Sequence, residues 1–296
     1  MIKSQKEKCA VLITGTSSGL GRATALLLDQ QGYLVFAGVR TEKDAESLKQ
    51  AASGNLTPII MDITKAEQIQ SASEFVSLAV GDEGLFALIN NATGVVYGPL
   101  ECIAVDDIRW NFEVGVIGQI AVTQAFLPML RKAKGRIINI SAICGRLAIP
   151  YFGLLSASKF ALEALTDTLR MELRSSGIDV LSIIPGSFNT EVYKKVEASY
   201  DKTLANMSPE TKAIYGKNHR IFMENVVEGN CQGMPVEKVT SVILEALEAR
   251  KPKRQYIVTK SAWQTRLGAI YKRLLPHQYF YDTFYFDNLR KELELD

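Results

Sequence analysis

Histidine and cysteine are scarce here, with two histidines and four cysteines among 296 residues. His219 and His277 both fall late, and Cys9, Cys102, Cys144 and Cys231 are scattered with no Cys-x-x-Cys pair. That spacing argues against a zinc site or a disulfide framework, and it sets the expectation of a reduced, cytoplasmic protein without a metal. Charge of one sign is also lacking. The formal net charge is +2, too small to draw nucleic acid or a strongly acidic partner. No unbroken run of about 18 apolar residues occurs, so no membrane-spanning helix is expected. The opening, Met1-Ile2-Lys3-Ser4-Gln5-Lys6-Glu7-Lys8, is polar where a secretion signal has an apolar core. Internal repeats, low-complexity tracts and linkers are missing too, which leaves residues 1–259 to be read as one domain. Hydrophobic residues make up 47% of the chain, enough for a substantial core.

What is present is alternation. Short apolar runs at Ala10–Thr14, Tyr33–Ala37, Leu56–Met61, Leu85–Asn90, Gly135–Ile140, Ile178–Ile184 and Gln255–Val258 read as strands. Helical periodicity fills the gaps at Leu20–Gln31, Glu42–Ala52, Ala66–Val80, Val105–Leu130, Ser156–Ser175 and Val236–Ala249. Strands that are apolar throughout, such as Val11-Leu12-Ile13, need both faces covered. The pattern therefore predicts an α/β fold with a doubly wound, mostly parallel sheet. Ser187–Met234 breaks the rhythm, being polar and weakly periodic, and is predicted to cover a ligand site. Lys260–Asp296 reads as a helical extension, with Trp263, Leu267, Ile270, Tyr271, Leu274 and Leu275 at helical spacing before the aromatic run Tyr279–Phe286. Packing on the parent domain or on a subunit partner is the first expectation for it. A lid over an apolar substrate and a peripheral membrane contact are the alternatives.

The first strand runs directly into Thr14-Gly15-Thr16-Ser17-Ser18-Gly19-Leu20-Gly21 and then a helix. Glycines at such a junction permit a tight turn and let backbone N–H groups approach a pyrophosphate at the positive end of the helix. The second strand leads into Phe36-Ala37-Gly38-Val39-Arg40-Thr41, with no acid before Glu42. An acid there would bond a ribose 2′-hydroxyl, whereas the guanidinium of Arg40 suits a 2′-phosphate. The residues point to a dinucleotide, NADP(H) in preference to NAD(H).

In this setting, Thr-Gly-x-x-x-Gly-x-Gly resembles the fingerprint of the short-chain dehydrogenase/reductase family, and the resemblance implies a Rossmann fold. Further matches follow in order over about Lys8–Thr190: Met61-Asp62-Ile63-Thr64, then Asn90-Asn91-Ala92, then Pro185-Gly186-Ser187-Phe188-Asn189-Thr190. The resemblance implies cofactor contacts from Gly15, Ser17, Ser18, Gly19, Leu20, Gly21 and Arg40 on the first two loops. It extends them to Asp62 and Ile63 beside the adenine, Asn90 and Ala92, Lys159 on the ribose, and Pro185, Gly186 and Thr190 at the nicotinamide. It also implies a homodimer or homotetramer paired through Val105–Leu130 and Ser156–Ser175. The tail is similar to those of the retinol- and hydroxysteroid-dehydrogenase-like branch.

The acid–base machinery is where the chain departs from that pattern. The family sets a tyrosine four residues before a lysine that lowers the phenol pKa from about 10, a serine that holds the substrate oxygen, and an asparagine that supports a relay water. Lys159 keeps the lysine position, but Leu155, Ala142 and Gly115 fill the tyrosine, serine and asparagine slots, and Thr93 replaces the glycine of Asn-Asn-Ala-Gly. None of those three slots carries a side-chain proton donor. Tyr151, four residues before Leu155, is the candidate surrogate acid. Asn111 lies one helical turn before Gly115, Ser141 faces away from Ala142, and Cys144 reads as a small core hydrophobe. One reading is an NADP(H)-dependent oxidoreductase that moves hydride to an apolar small molecule needing no tyrosine acid, such as an activated C=C bond or an iminium. The other is a non-catalytic NADP(H)-binding regulatory or scaffold protein. A disabled carbonyl reductase and a non-redox cyclase or isomerase fit the same residues.

Overall fold

Residues 9–189 and 192–260 are described by a computed structural model of the chain. The strands are β1 (Ala10–Ile13), β2 (Leu34–Val39), β3 (Leu56–Ile60), β4 (Ala87–Asn90), β5 (Arg136–Ile140), β6 (Asp179–Pro185) and β7 (Gln255–Val258). They form one parallel sheet in the order β3-β2-β1-β4-β5-β6-β7. The predicted doubly wound topology is what the chain adopts.

Side-chain alternation along each strand builds a core on both faces. Val11, Ile13, Val35, Ile89, Ile138 and Leu181 point to one side. There they meet Ala25 and Leu28 of α1 (Gly19–Gln30), Leu48 of α2 (Glu42–Ala51), and Val239 and Ile243 of a late helix, Val236–Glu248. Leu12, Phe36, Leu88, Ile137 and Val180 point to the other side. They are covered by Ile69 and Val76 of α3 (Ala66–Val80) and by Val122, Phe126 and Leu130 further along. Because all strands are parallel, their C-terminal ends share one edge, and the order reverses between β1 and β4. That reversal opens the crevice where ligands of such sheets bind.

Two predicted stretches came out differently. The helix expected over Val105–Leu130 is α4 (Val105–Phe112), a π turn at Glu113–Ile117, and α5 (Gly118–Ala133). Two glycines let this helix press close to its neighbours: a Cβ on Gly118 would lie 2.5 Å from the Ile63 carbonyl oxygen. The combined span Val105–Ala133 is also long and apolar enough to cross a membrane by length and composition alone. Half of its most apolar window is buried inside the domain, as befits a helix packed on a sheet.

The second stretch, Ser187–Met234, is not irregular. It carries α7 (Val192–Asn206) and α8 (Pro209–Cys231) between β6 and α9 (Val236–Glu248). Its ends are pinned together, since the Asn189 N–H donates to the Met234 carbonyl at 2.8 Å and the Met234 N–H to the Ser187 carbonyl at 3.2 Å. The remaining long helix, α6 (Gly153–Glu172), follows the 3₁₀ turn Ile143–Gly145. Thr190 and residues 261–296, and with them the predicted tail helix and its aromatic run, lie outside the described residues.

Candidate functional site

At the crevice, the loop after β1 is held by main-chain and amide bonds. Thr14 Oγ1 accepts from the backbone N–H groups of Asn91 and Ala92, both at 3.0 Å. Asn91 Nδ2 donates to the carbonyls of Thr14 at 2.9 Å and Gly15 at 3.0 Å. Thr16 closes the other side, donating from N and from Oγ1 to the Gly38 carbonyl at 2.9 and 3.0 Å. Gly15 and Gly19 take φ of 69° and 58°, a region that disfavours other residues. A Cβ on Gly21 would lie 2.3 Å from the Gly15 oxygen, so only glycine permits α1 to start this close to the turn. The result is a cradle of backbone running through Ser17, Ser18 and Leu20 at the positive end of a helix, and it fits a pyrophosphate. Sequence reasoning quoted Thr14 and Asn91 only as motif letters. Their bracing role emerges from the bonds.

The other predicted cofactor residues gather along the same edge. Arg40 is exposed directly after β2, ahead of the α2 cap at Thr41. Asp62 follows β3, its Oδ1 accepting from the Thr64 N–H at 3.0 Å and hydroxyl at 2.8 Å, with Ile63 buried beside it. Pro185 ends β6, and the Gly186 N–H donates to Val258 at 2.9 Å. Asn90 also has partners inside the protein. Its amide is buried under the crevice and donates to Thr123 Oγ1 at 3.0 Å and Asn139 Oδ1 at 2.9 Å, and Asn139 in turn donates to Thr166 Oγ1 at 2.8 Å. This chain of side chains ties β4 and β5 to α5 and α6.

Lys159 lies on α6 with its side chain buried and Nζ donating to the Ile140 carbonyl at 2.7 Å. Gly145 makes the approach possible, because a Cβ there would sit 3.0 Å from Lys159 Cβ. Burial pushes the ammonium from its ordinary 10.5 down to about 8, partly offset by Cys144 and Glu163. The Cys144 thiol is itself pushed up to about 11 by burial, which leaves it protonated and inert, as a core residue should be.

The three positions expected to depart from the family pattern are apolar or closed. Ala142 caps the 3₁₀ turn in extended conformation. Leu155 packs with Tyr97, Ile149, Tyr151, Phe152, Phe222 and Met223 in an aromatic cluster between α6 and α8. Gly115 meets Ser158, whose Cβ would be 2.9 Å from a Cβ added at 115. Tyr151 belongs to the same cluster, its ring centroid 5.2 Å from that of Phe222, in a left-handed conformation with φ 61°. Burial raises its phenol pKa and no cation opposes the shift. That direction is the reverse of what a proton donor near neutral pH needs. Asn111 is fully buried with neither amide atom hydrogen-bonded among the described residues. Sequence reasoning missed one more residue, His219 of α8, buried against Tyr151 and Tyr200 at centroid distances of 5.1 and 4.8 Å. Its place on the apolar stripe with Phe222 and Met223 was the available signal.

Comparison with known proteins agrees with this geometry. The short chain dehydrogenase family profile matches residues 9–201. Retinol dehydrogenase 5 of Mus musculus is 36% identical over 276 residues, which span 90% of this chain and 84% of that protein. The 17-beta-hydroxysteroid dehydrogenase type 6 of Bos taurus is 35% identical, with the same 90% and 84% covered. A short-chain dehydrogenase structure from Streptomyces avermitilis has a TM-score of 0.72 at 26% identity, covering 97% of this chain and 94% of that one. One from Burkholderia cenocepacia J2315, solved in complex with NADP, has a TM-score of 0.66 at 27% identity over 90% of this chain and 98% of that one.

Proposed function

This chain belongs to the short-chain dehydrogenase family, on its retinol-dehydrogenase-like branch, and on that premise we propose an NADP(H)-dependent oxidoreductase acting on an apolar small molecule without a tyrosine acid. The backbone from Gly15 to Gly21 would hold the pyrophosphate, and Arg40 the 2′-phosphate, by a charge-assisted bond that an acid at the strand end would forbid. Lys159 would present its ammonium to the ribose, while Pro185 and Gly186 flank the nicotinamide. A bound nicotinamide supplies or accepts one hydride. The NADP of the Burkholderia structure supports this cofactor class.

The observation that carries the altered chemistry is Leu155, seated in an aromatic cluster where the family has its proton donor. With Ala142 just past the end of β5, a ketone oxygen would find no side-chain hydroxyl at either slot. Hydride transfer would then favour substrates that carry their own electrophilicity, an enone or an iminium, with water supplying a late proton. The apolar cluster, and the retinol and hydroxysteroid named for the relatives, support an apolar substrate. The helices α7 and α8 would form its cover.

NADPH oxidation should be assayed against matched ketones, enones and iminium ions. Loss of general acid help typically costs about 10²–10⁴-fold, so ketones should lag by roughly that factor. Brisk ketone reduction would overturn the proposal by revealing a surrogate acid. Tight NADPH binding with hydride transfer to no acceptor would instead favour a dinucleotide-binding regulatory protein.

A further inference from the structure

We propose that His219 is the specificity-determining residue of the substrate cover, hydrogen-bonding a neutral oxygen on an otherwise apolar ligand. The inference rests on the reading that this site takes an apolar substrate. His219, Phe222, Met223 and Val226 follow the i, i+3, i+4, i+7 spacing of one helix face. That face of α8 lies on Tyr97, Ile149, Tyr151, Phe152 and Leu155. An imidazole is therefore placed in the middle of an apolar stripe, fully buried, against the Tyr151 ring of the cluster that also holds Leu155.

Neither Nδ1 nor Nε2 of His219 has a hydrogen-bond partner among the described residues. Its neighbours Tyr151 and Tyr200 approach it as rings, with planes tilted at 32° and 58°. Buried polar groups are almost always bonded, so an imidazole with both nitrogens idle marks the place of a missing partner. The chemistry of that partner follows from the surroundings. Burial holds the imidazole pKa down to about 4, so at neutral pH the ring carries one N–H donor and one acceptor and no charge. A carboxylate or phosphate would meet an uncharged ring there, whereas a ketone or hydroxyl oxygen is matched by the N–H or the lone pair. The walls offer aromatic and aliphatic carbon to the rest of the ligand. With no hydroxyl at Ala142 or Leu155, His219 supplies a polar anchor that those slots lack.

A matched pair of probes tests this, the tricyclic ketone 9-fluorenone and its hydrocarbon fluorene, titrated into the full chain saturated with NADP+. The unmodified protein should bind the ketone about tenfold more tightly, the worth of one buried hydrogen bond. His219→Phe, which keeps an aromatic ring, should bring that ratio close to one, while His219→Gln should retain part of it. Only two histidines occur, so in a His277→Gln background the imidazole ¹⁵N resonances belong to His219. Fluorenone should move them and fluorene should not. Equal binding of ketone and hydrocarbon by the unmodified protein, or a ratio unchanged in His219→Phe, overturns the role of His219 and leaves the apolar site standing. Binding of neither probe overturns the apolar-substrate reading and this inference with it. Should His219→Phe not fold, the ¹⁵N response of the unmodified ring decides: movement by the ketone alone supports the role, and no movement overturns it.

Discussion

At Gly115, the position expected to match the family's asparagine, an added Cβ would lie 2.9 Å from Ser158 Cβ. The space for the missing side chain has closed. Gly115→Asn alone should therefore lose about 1–3 kcal/mol of stability through overpacking, measured as a lower midpoint in urea. Ser158→Gly introduced beside it should recover part of that loss; an unchanged midpoint for the single variant would show that α6 yields easily. The two other slots are not closed in this way, so Leu155→Tyr with Ala142→Ser is the better route to restored chemistry. That pair should raise ketone reduction by about 10²-fold or more, with NADPH affinity unaltered because neither residue touches the glycine cradle. Arg40 calls for the opposite experiment. Replacing it with alanine should weaken NADPH binding about tenfold or more, the value of a charge-assisted bond, and leave NADH as it was. Fluorescence titration with both cofactors would tell, and equal losses for the two would remove the 2′-phosphate role.

Among the elements, the pairing of α6 with the turn Ile143–Gly145 carries a pH signature. Lys159 is buried there, bonded to Ile140, with its pKa lowered to about 8. Below that pH both folded and unfolded chains hold the proton, and the cost of burying the charge weighs fully on the fold. Between about 8 and about 10.4 the folded chain releases the proton first, the unfolded chain binds more protons, and stability rises with pH. The total gain is at most about 3 kcal/mol. Lys159→Met should flatten the rise, so the difference between the two urea midpoints should shrink or change sign from pH 7 to pH 10; a constant difference would mean Lys159 stays charged. Lys159 was legible in the sequence because it falls in a motif at fixed spacing, and the strands were legible because both-face burial leaves unbroken apolar runs such as Val11-Leu12-Ile13. The π turn was not, since Gly115 and Gly118 lie inside a continuous helical pattern, and their close approach to Ser158 and Ile63 appears only in the packed structure. Nor were α7 and α8 legible. Their apolar faces are narrow and interrupted by residues such as His219, whose burial depends on Tyr151 and Tyr200 arriving from elsewhere in the chain.

On the scale of the whole molecule, the sheet buries its apolar residues on both faces, yet a helical surface beside the crevice remains apolar. Trp110 of α4 is 41% exposed and Ile117 of the π turn 54% exposed, large apolar side chains on one helical span. Phe160 of α6 is 38% exposed as well, so both helices expected to pair carry exposed apolar side chains. A helix face of this kind is covered most simply by its own copy across a two-fold axis, which sets each Trp110–Ile117 ridge against the partner's equivalent. Closure of that kind needs roughly 800 Å² from each copy, within reach of a 29-residue helical span such as Val105–Ala133. Sedimentation at micromolar concentration should therefore give a species of at least twice the 32.7 kDa chain mass. Trp110→Glu combined with Ile117→Glu should convert it to single chains, because paired carboxylates facing each other across the axis repel and resist dehydration. The double variant should keep its circular dichroism, which shows that the loss of the dimer is not a loss of fold. A single-chain species for the unmodified protein, at every concentration up to about 100 times that needed for a micromolar dimer, would show that something other than a second copy covers this face.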